Sequence, residues 1–243
     1  GWANLAAIRL AGGKSEPART AAQAAIARDP ALAGPWLVIG NLEMRDGRTA
    51  AARQAFERAV AADPSDADAL SNLGAAMLEA GDAKAAVIAL EKAMALDPGS
   101  AGALANLAGA RQAMGDYDGA VTAAECALRI NPALPEALIN LGLAFRQQGR
   151  IDDAAGAYRR AIALAPDSAE AHFNLSQILL LQRLSQDAWG EYEWRWRRGE
   201  LKALARDFPE PLWDGRPAPG KHLFVHMEQG FGDAFQFVRY CAL

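Results

Sequence analysis

The sequence predicts an all-α solenoid, a right-handed superhelix of stacked helical hairpins. Three observations carry that prediction. Pro30, Pro64, Pro98, Pro132 and Pro166 stand 34 residues apart, and a fixed period of that length marks a repeated two-helix unit. Gly13, Gly47, Gly81, Gly115 and Gly149 recur at the same interval. A small residue keeps phase with them: Ala6, Gly40, Gly74, Ala108, Gly142 and Ser176.

Each unit is numbered so that its proline is position 32. A partial repeat then covers residues 1–32, and full repeats cover 33–66, 67–100, 101–134 and 135–168. The first helix carries Trp2, Trp36, Leu70, Leu104, Leu138 and His172 at position 4, and Leu5, Ile39, Leu73, Leu107, Leu141 and Leu175 at position 7. With the small residue at position 8 these form one stripe of a 3.6-residue period. The glycine at position 15 ends that helix, because glycine takes the left-handed C-cap conformation most cheaply. The second helix brings Ala18, Ala52, Ala86, Ala120, Ala154 and Ala188 at position 20, and Phe56, Leu90 and Tyr158 at position 24. Small residues at 8 and 20 let the backbones approach, and the larger ones fill the space beside the contact. The proline, preceded by Asp29, Asp63, Asp97 or Asn131, cannot continue the second helix. A last repeat, 169–198, is degenerate: Arg183, Arg195 and Glu200 replace its glycine, small residue and proline. A repeat that closes a solenoid needs a different outer face. The opposite end carries no such cap, so further repeats are expected to precede it.

These markers resemble the tetratricopeptide repeat family over residues 1–198. The resemblance implies a protein-binding module whose first helices line a concave face. Position 6 on that face is Asn4, Asn72, Asn106, Asn140 and Asn174, with Val38 the exception and Asn41 three residues on, at position 9. Asn offers a donor and an acceptor on one short arm, so such a row suits a peptide backbone of any sequence. Neighbouring helices lie ~8–10 Å apart and an extended peptide advances ~3.3 Å per residue, so one Asn addresses about every third residue. The row is similar to the asparagine ladder of O-linked N-acetylglucosamine transferases. The alternative is that these amides satisfy only local backbone or water. The rest of the stripe at positions 6 and 9 is neutral or small, which implies little charge selection. The basic clamp of chaperone-binding tetratricopeptide domains is a poorer match, since Arg45 and Arg146 are isolated.

After Arg198 the period vanishes. Residues 199–220 read as a linker, with four prolines between 207 and 220. Residues 221–243 read as a strand, a Gly-rich turn (Glu228–Asp233) and a helix, the opening of an α/β domain. The run Tyr192–Trp196, Trp213–Gly215, Gly220–Lys221, Glu228–Asp233 and Gln236–Tyr240 resembles bacterial proteins that join tetratricopeptide repeats to a heptosyltransferase-like glycosyltransferase of the GT-B type. That resemblance implies Asp233 as the catalytic base, Gly230 and Gly232 at a nucleotide-sugar site, and a substrate-presenting role for the solenoid. The plainer reading of Asp233 is a helix N-cap. One strand and one helix bury no core, so no cofactor and no catalysis are expected of residues 1–243 themselves.

Composition narrows the remaining classes. The net charge of −4 argues against nucleic acid. No run approaches the ~20 apolar residues of a membrane span. Cys126 and Cys241 have no metal-ligand spacing, and together with the absence of a signal peptide they favour the cytoplasm. Gly12-Gly13-Lys14-Ser15 lacks the first glycine of a phosphate loop, and His222 and His226 have no third ligand, so no metal is expected. The rival to the glycosyltransferase reading is a pure interaction scaffold, one that binds partners or stacks end to end with copies of itself.

Overall fold

The structure, a computed structural model, describes residues 2–182 and 185–198. Twelve α-helices occupy them in six hairpins: α1 (Trp2–Ala11), α2 (Ser15–Arg28), α3 (Ala33–Arg45), α4 (Thr49–Ala62), α5 (Ala67–Glu79), α6 (Ala83–Leu96), α7 (Ala101–Ala113), α8 (Tyr117–Ile130), α9 (Pro135–Gln147), α10 (Ile151–Leu164), α11 (Ala169–Leu181) and α12 (Ser185–Tyr192). A 3₁₀ helix, Glu193–Arg197, follows. Among the described residues there is no strand. The strand and helix expected at 221–243 lie outside them, as do Arg183, Glu200, Gly230, Gly232 and Asp233.

The repeat chemistry explains the local structure. Gly13, Gly47, Gly81, Gly115 and Gly149 all take φ between 70° and 83°, where a Cβ is strained. Each proline sits in the loop after a second helix. There Asp29, Asp63, Asp97 and Asn131 accept the N–H of the residue two further on, at 3.0, 3.0, 2.9 and 3.1 Å. This Asx turn explains why the residue before the proline is Asp or Asn. Caps strengthen the middle of the chain: Asp66, Asp82, Ser100 and Asp116 each accept the backbone N–H three residues on.

Positions 8 and 24 are coupled. A methyl group on Gly40, Gly74 or Gly142 would overlap Phe56, Leu90 or Tyr158. Where position 8 is Ala108, position 24 shrinks to Ala124, and both are fully buried. The pair conserves volume across the hairpin.

Stacking follows from who touches whom. Every first helix contacts the first helix of the next hairpin, from α1–α3 to α9–α11, while no second helix touches another second helix among the described residues. The first helices are therefore the inner layer and the second helices the splayed outer one. The last hairpin ends differently. Its second helix is short, and the 3₁₀ turn folds back on α11, so that Trp194 stacks on His172 at 3.9 Å and 2°. Arg195, buried at the place of a small residue, lies over Tyr192 and Trp196 at 4.3 and 4.7 Å. Trp194 and Arg198 thus pack on His172 and Phe173 of α11.

Candidate peptide-binding groove

The inner layer presents positions 2, 9 and 13 of each first helix, which share one helical face. Position 6 sits beside that face, turned toward the preceding first helix. Asn140 shows this directly: its Nδ2 donates to the Ala105 carbonyl of α7 at 2.9 Å. It lies against Gly109, where a Cβ would stand 3.5 Å from the same amide nitrogen. The bond forms in the seam where α7 and α9 are packed most extensively.

The other amides of the row behave differently. Asn72 and Asn106 are half-buried and Asn4 and Asn41 exposed, and none of their side chains makes a hydrogen bond within the protein. Asn174 is only 7% exposed, and its amide has no protein partner either. The row therefore divides. Asn140 spends a donor on the seam, and the remaining five keep both functions of the amide.

Positions 2 and 13 share the concave stripe with position 9, beside position 6, and the charge of this face lies there. Position 2 carries Asp68, Glu136 and Glu170, exposed and without a hydrogen bond or ion pair. Glu79, at position 13 of α5, is exposed and accepts only from Thr49 Oγ1 at 3.4 Å. Arg45 is the exposed cation of this face; Arg146 is half-buried and donates to Gln177. The floor of the groove at α7 has almost no side chains: Gly102, Gly109 and Ala113. A phase count at positions 2 and 13 would have found the acidic residues in the sequence.

Elsewhere charges are used up in the packing. Glu43, 8% exposed, is held by Arg19 of α2 and by Arg48. The hydrogen bond from Arg48 is the main reason its carboxyl stays below the usual glutamate range, against burial, which pushes it up. Arg111 pairs with Glu91 of α6 at 3.1 Å. Cys126 is half-buried and takes a contact from Arg129 Nη2 at 2.9 Å. No group of His, Cys, Asp and Glu able to hold a metal occurs among the described residues, and no helix there is long and apolar enough to cross a membrane.

Two-helix units in phase, first helices innermost and glycine at each hairpin turn define a tetratricopeptide-repeat solenoid, a protein-interaction fold. More narrowly, the chain belongs to the family of the Cilia and flagella-associated protein 70 C-terminal domain, whose model matches residues 1–204. Solved structures agree on the fold. A thermophilic tetratricopeptide protein of Thermus thermophilus is 25% identical over 68% of this chain and 90% of its own, with a TM-score of 0.62. PilW, a type IV pilus biogenesis factor, is 20% identical over 84% and 96%, with a TM-score of 0.69. Cut9, in its complex with Hcn1, is 19% identical over 81% of this chain and 39% of its own, with a TM-score of 0.72. No curated protein matches. None of these similarities points to a glycosyltransferase, and the family description does not name a bacterial protein.

Proposed function

We propose that this chain is a protein-interaction scaffold that holds an extended segment of a partner polypeptide against its inner layer of first helices. The observation that carries the proposal is the set of amides left without protein partners along that layer, Asn174 above all. The amide atoms of Asn174 are not among the buried side-chain atoms that lack a partner, so they stay within reach of solvent, and a peptide backbone supplies a donor and an acceptor for them. The test is binding of extended peptides to Asn72→Ala/Asn106→Ala/Asn174→Ala. Affinity falls about tenfold or more if each lost hydrogen bond contributes roughly 1 kcal/mol, while helix content is unchanged. Unaltered affinity removes the ladder. The family takes its description from a protein associated with cilia and flagella, so an assembly of that kind is one setting this scaffold fits.

One observation favours self-association as a second reading. Ile8, at position 10, is 69% exposed, whereas Leu42, Ala76, Ala110, Ala144 and Ile178 at the same position are fully buried by the preceding hairpin. The α1 face is thus shaped as a repeat seam, which a further hairpin or a second copy can occupy. A monomer at every concentration in sedimentation would eliminate that reading. The finer glycosyltransferase reading rests on the 192–240 motifs alone. On it the solenoid presents an acceptor polypeptide to a nucleotide-sugar site built around Gly230, Gly232 and Asp233. Glycosyl transfer to a protein acceptor, lost in Asp233→Asn, is the result it requires.

A further inference from the structure

We infer that the groove selects a basic segment, with an apolar residue at its middle. The inference rests on the peptide-binding reading above and names the partner's chemistry.

Three carboxylates recur at one register of the inner face: Asp68 on α5, Glu136 on α9 and Glu170 on α11. All are exposed, and none has a partner. Acidic residues in a first turn also favour the helix dipole, and second helices of this chain carry them too. Most of those, however, are put to use: Asp118 accepts from Gln148 at 2.7 Å and Asp152 from Gln182 at 2.6 Å. Among the described second-helix first turns Asp187 alone stays unspent, whereas all three groove carboxylates do. They face a surface whose free cation, Arg45, is at the far end on α3. Asn174, 7% exposed and without a protein partner, lies four residues beyond Glu170 on α11.

Between Asp68 and Glu136 the groove changes character. On α7 positions 2, 9 and 13 are Gly102, Gly109 and Ala113, and half-buried Leu78 and Leu143 stand on either side. A Cβ on Gly109 would already meet Leu78 at 3.2 Å. This stretch admits close approach and offers apolar contact, so it takes one bulky apolar side chain.

The spacing sets the order. One hairpin step of ~8–10 Å equals about three residues of extended chain. A fitting segment therefore has a cation opposite α5, an apolar residue three further on opposite α7, then cations at two more steps of three opposite α9 and α11. Opposite charges at this separation steer association and fix register.

The experiment uses fluorescein-labelled ten-residue peptides and the whole chain. The basic probe has Lys at its positions 1, 7 and 10, Leu at 4, and Gly and Ser between. The comparison probes replace Lys by Gln or by Glu. The basic probe should bind about tenfold more tightly than the Gln probe, and this preference should vanish at about tenfold higher salt. Asp68→Asn/Glu136→Gln/Glu170→Gln, checked for retained helix content by circular dichroism, should lose the preference and keep the Gln-probe affinity. Equal binding of the Lys and Gln probes overturns the charge inference and leaves the extended-peptide reading standing. Binding of none of the three probes overturns both.

Discussion

Tyr158 is the clearest case of one side chain fitting its site in shape and not in chemistry. Its ring fills the space that Gly142 leaves, and the residue is fully buried. Its hydroxyl has no hydrogen-bond partner, and burial pushes the phenol well above the ordinary tyrosine range. A buried hydroxyl without a partner costs stability that a phenylalanine does not. Tyr158→Phe should therefore leave the melting temperature unchanged or raise it, by up to about 1 kcal/mol of stability. A loss of more than that would mean the hydroxyl is satisfied in solution. Asn140 is the contrasting case, since its amide is matched to the Ala105 carbonyl.

Within a hairpin, helix packing is governed by complementary volume. Gly74 is unfavourable in propensity terms, since glycine weakens a helix interior by roughly 1 kcal/mol relative to alanine. Its value is the space it cedes to Leu90. Gly74→Ala should lower stability by about 1–3 kcal/mol despite the better helix former, because the methyl meets the Leu90 side chain. Gly156 on α10 has nothing within 4 Å of its would-be Cβ. Gly156→Ala should raise stability by about 0.5–1 kcal/mol. Denaturant titration of both variants checks the pair, and an equal sign for the two would refute the packing account. The helices, their glycine stops and their proline-bounded loops were legible in the sequence because each depends on residues a few positions apart. The Asp or Asn before each proline is legible in the sequence too, and the structure shows the Asx turn that it closes.

At the scale of the whole molecule, each hairpin touches only its neighbours, so stability is the sum of units and seams. Seams differ in chemistry. The first contains Glu43, buried between Arg19 and Arg48. Its folded-state pKa is depressed, so its contribution is complete above the unfolded glutamate value and is lost as pH falls through the lower folded one. Acidification below the usual glutamate range should therefore weaken the α2–α3 seam. Hydrogen exchange along α2 and α3 should rise there faster in the native chain than in Glu43→Gln, whose seam is weaker at neutral pH and less pH-dependent. Parallel pH profiles for the two would exclude Glu43 as the cause. The groove is likewise a property of the whole stack. Asp68, Glu136 and Glu170 are far apart in sequence, and alignment on one face makes them a single surface.

The sequence alone determined the fold class, because a 34-residue period in apolar, small and helix-stopping residues leaves one way to bury every apolar stripe. It determined equally that an amide recurs at one register of the first helices. The tertiary structure decided what those amides do. Whether Asn140 reaches the Ala105 carbonyl while Asn174 reaches nothing depends on how closely successive first helices approach. That distance is fixed by side-chain volumes in the seams, summed over residues many positions apart, and no local pattern encodes it.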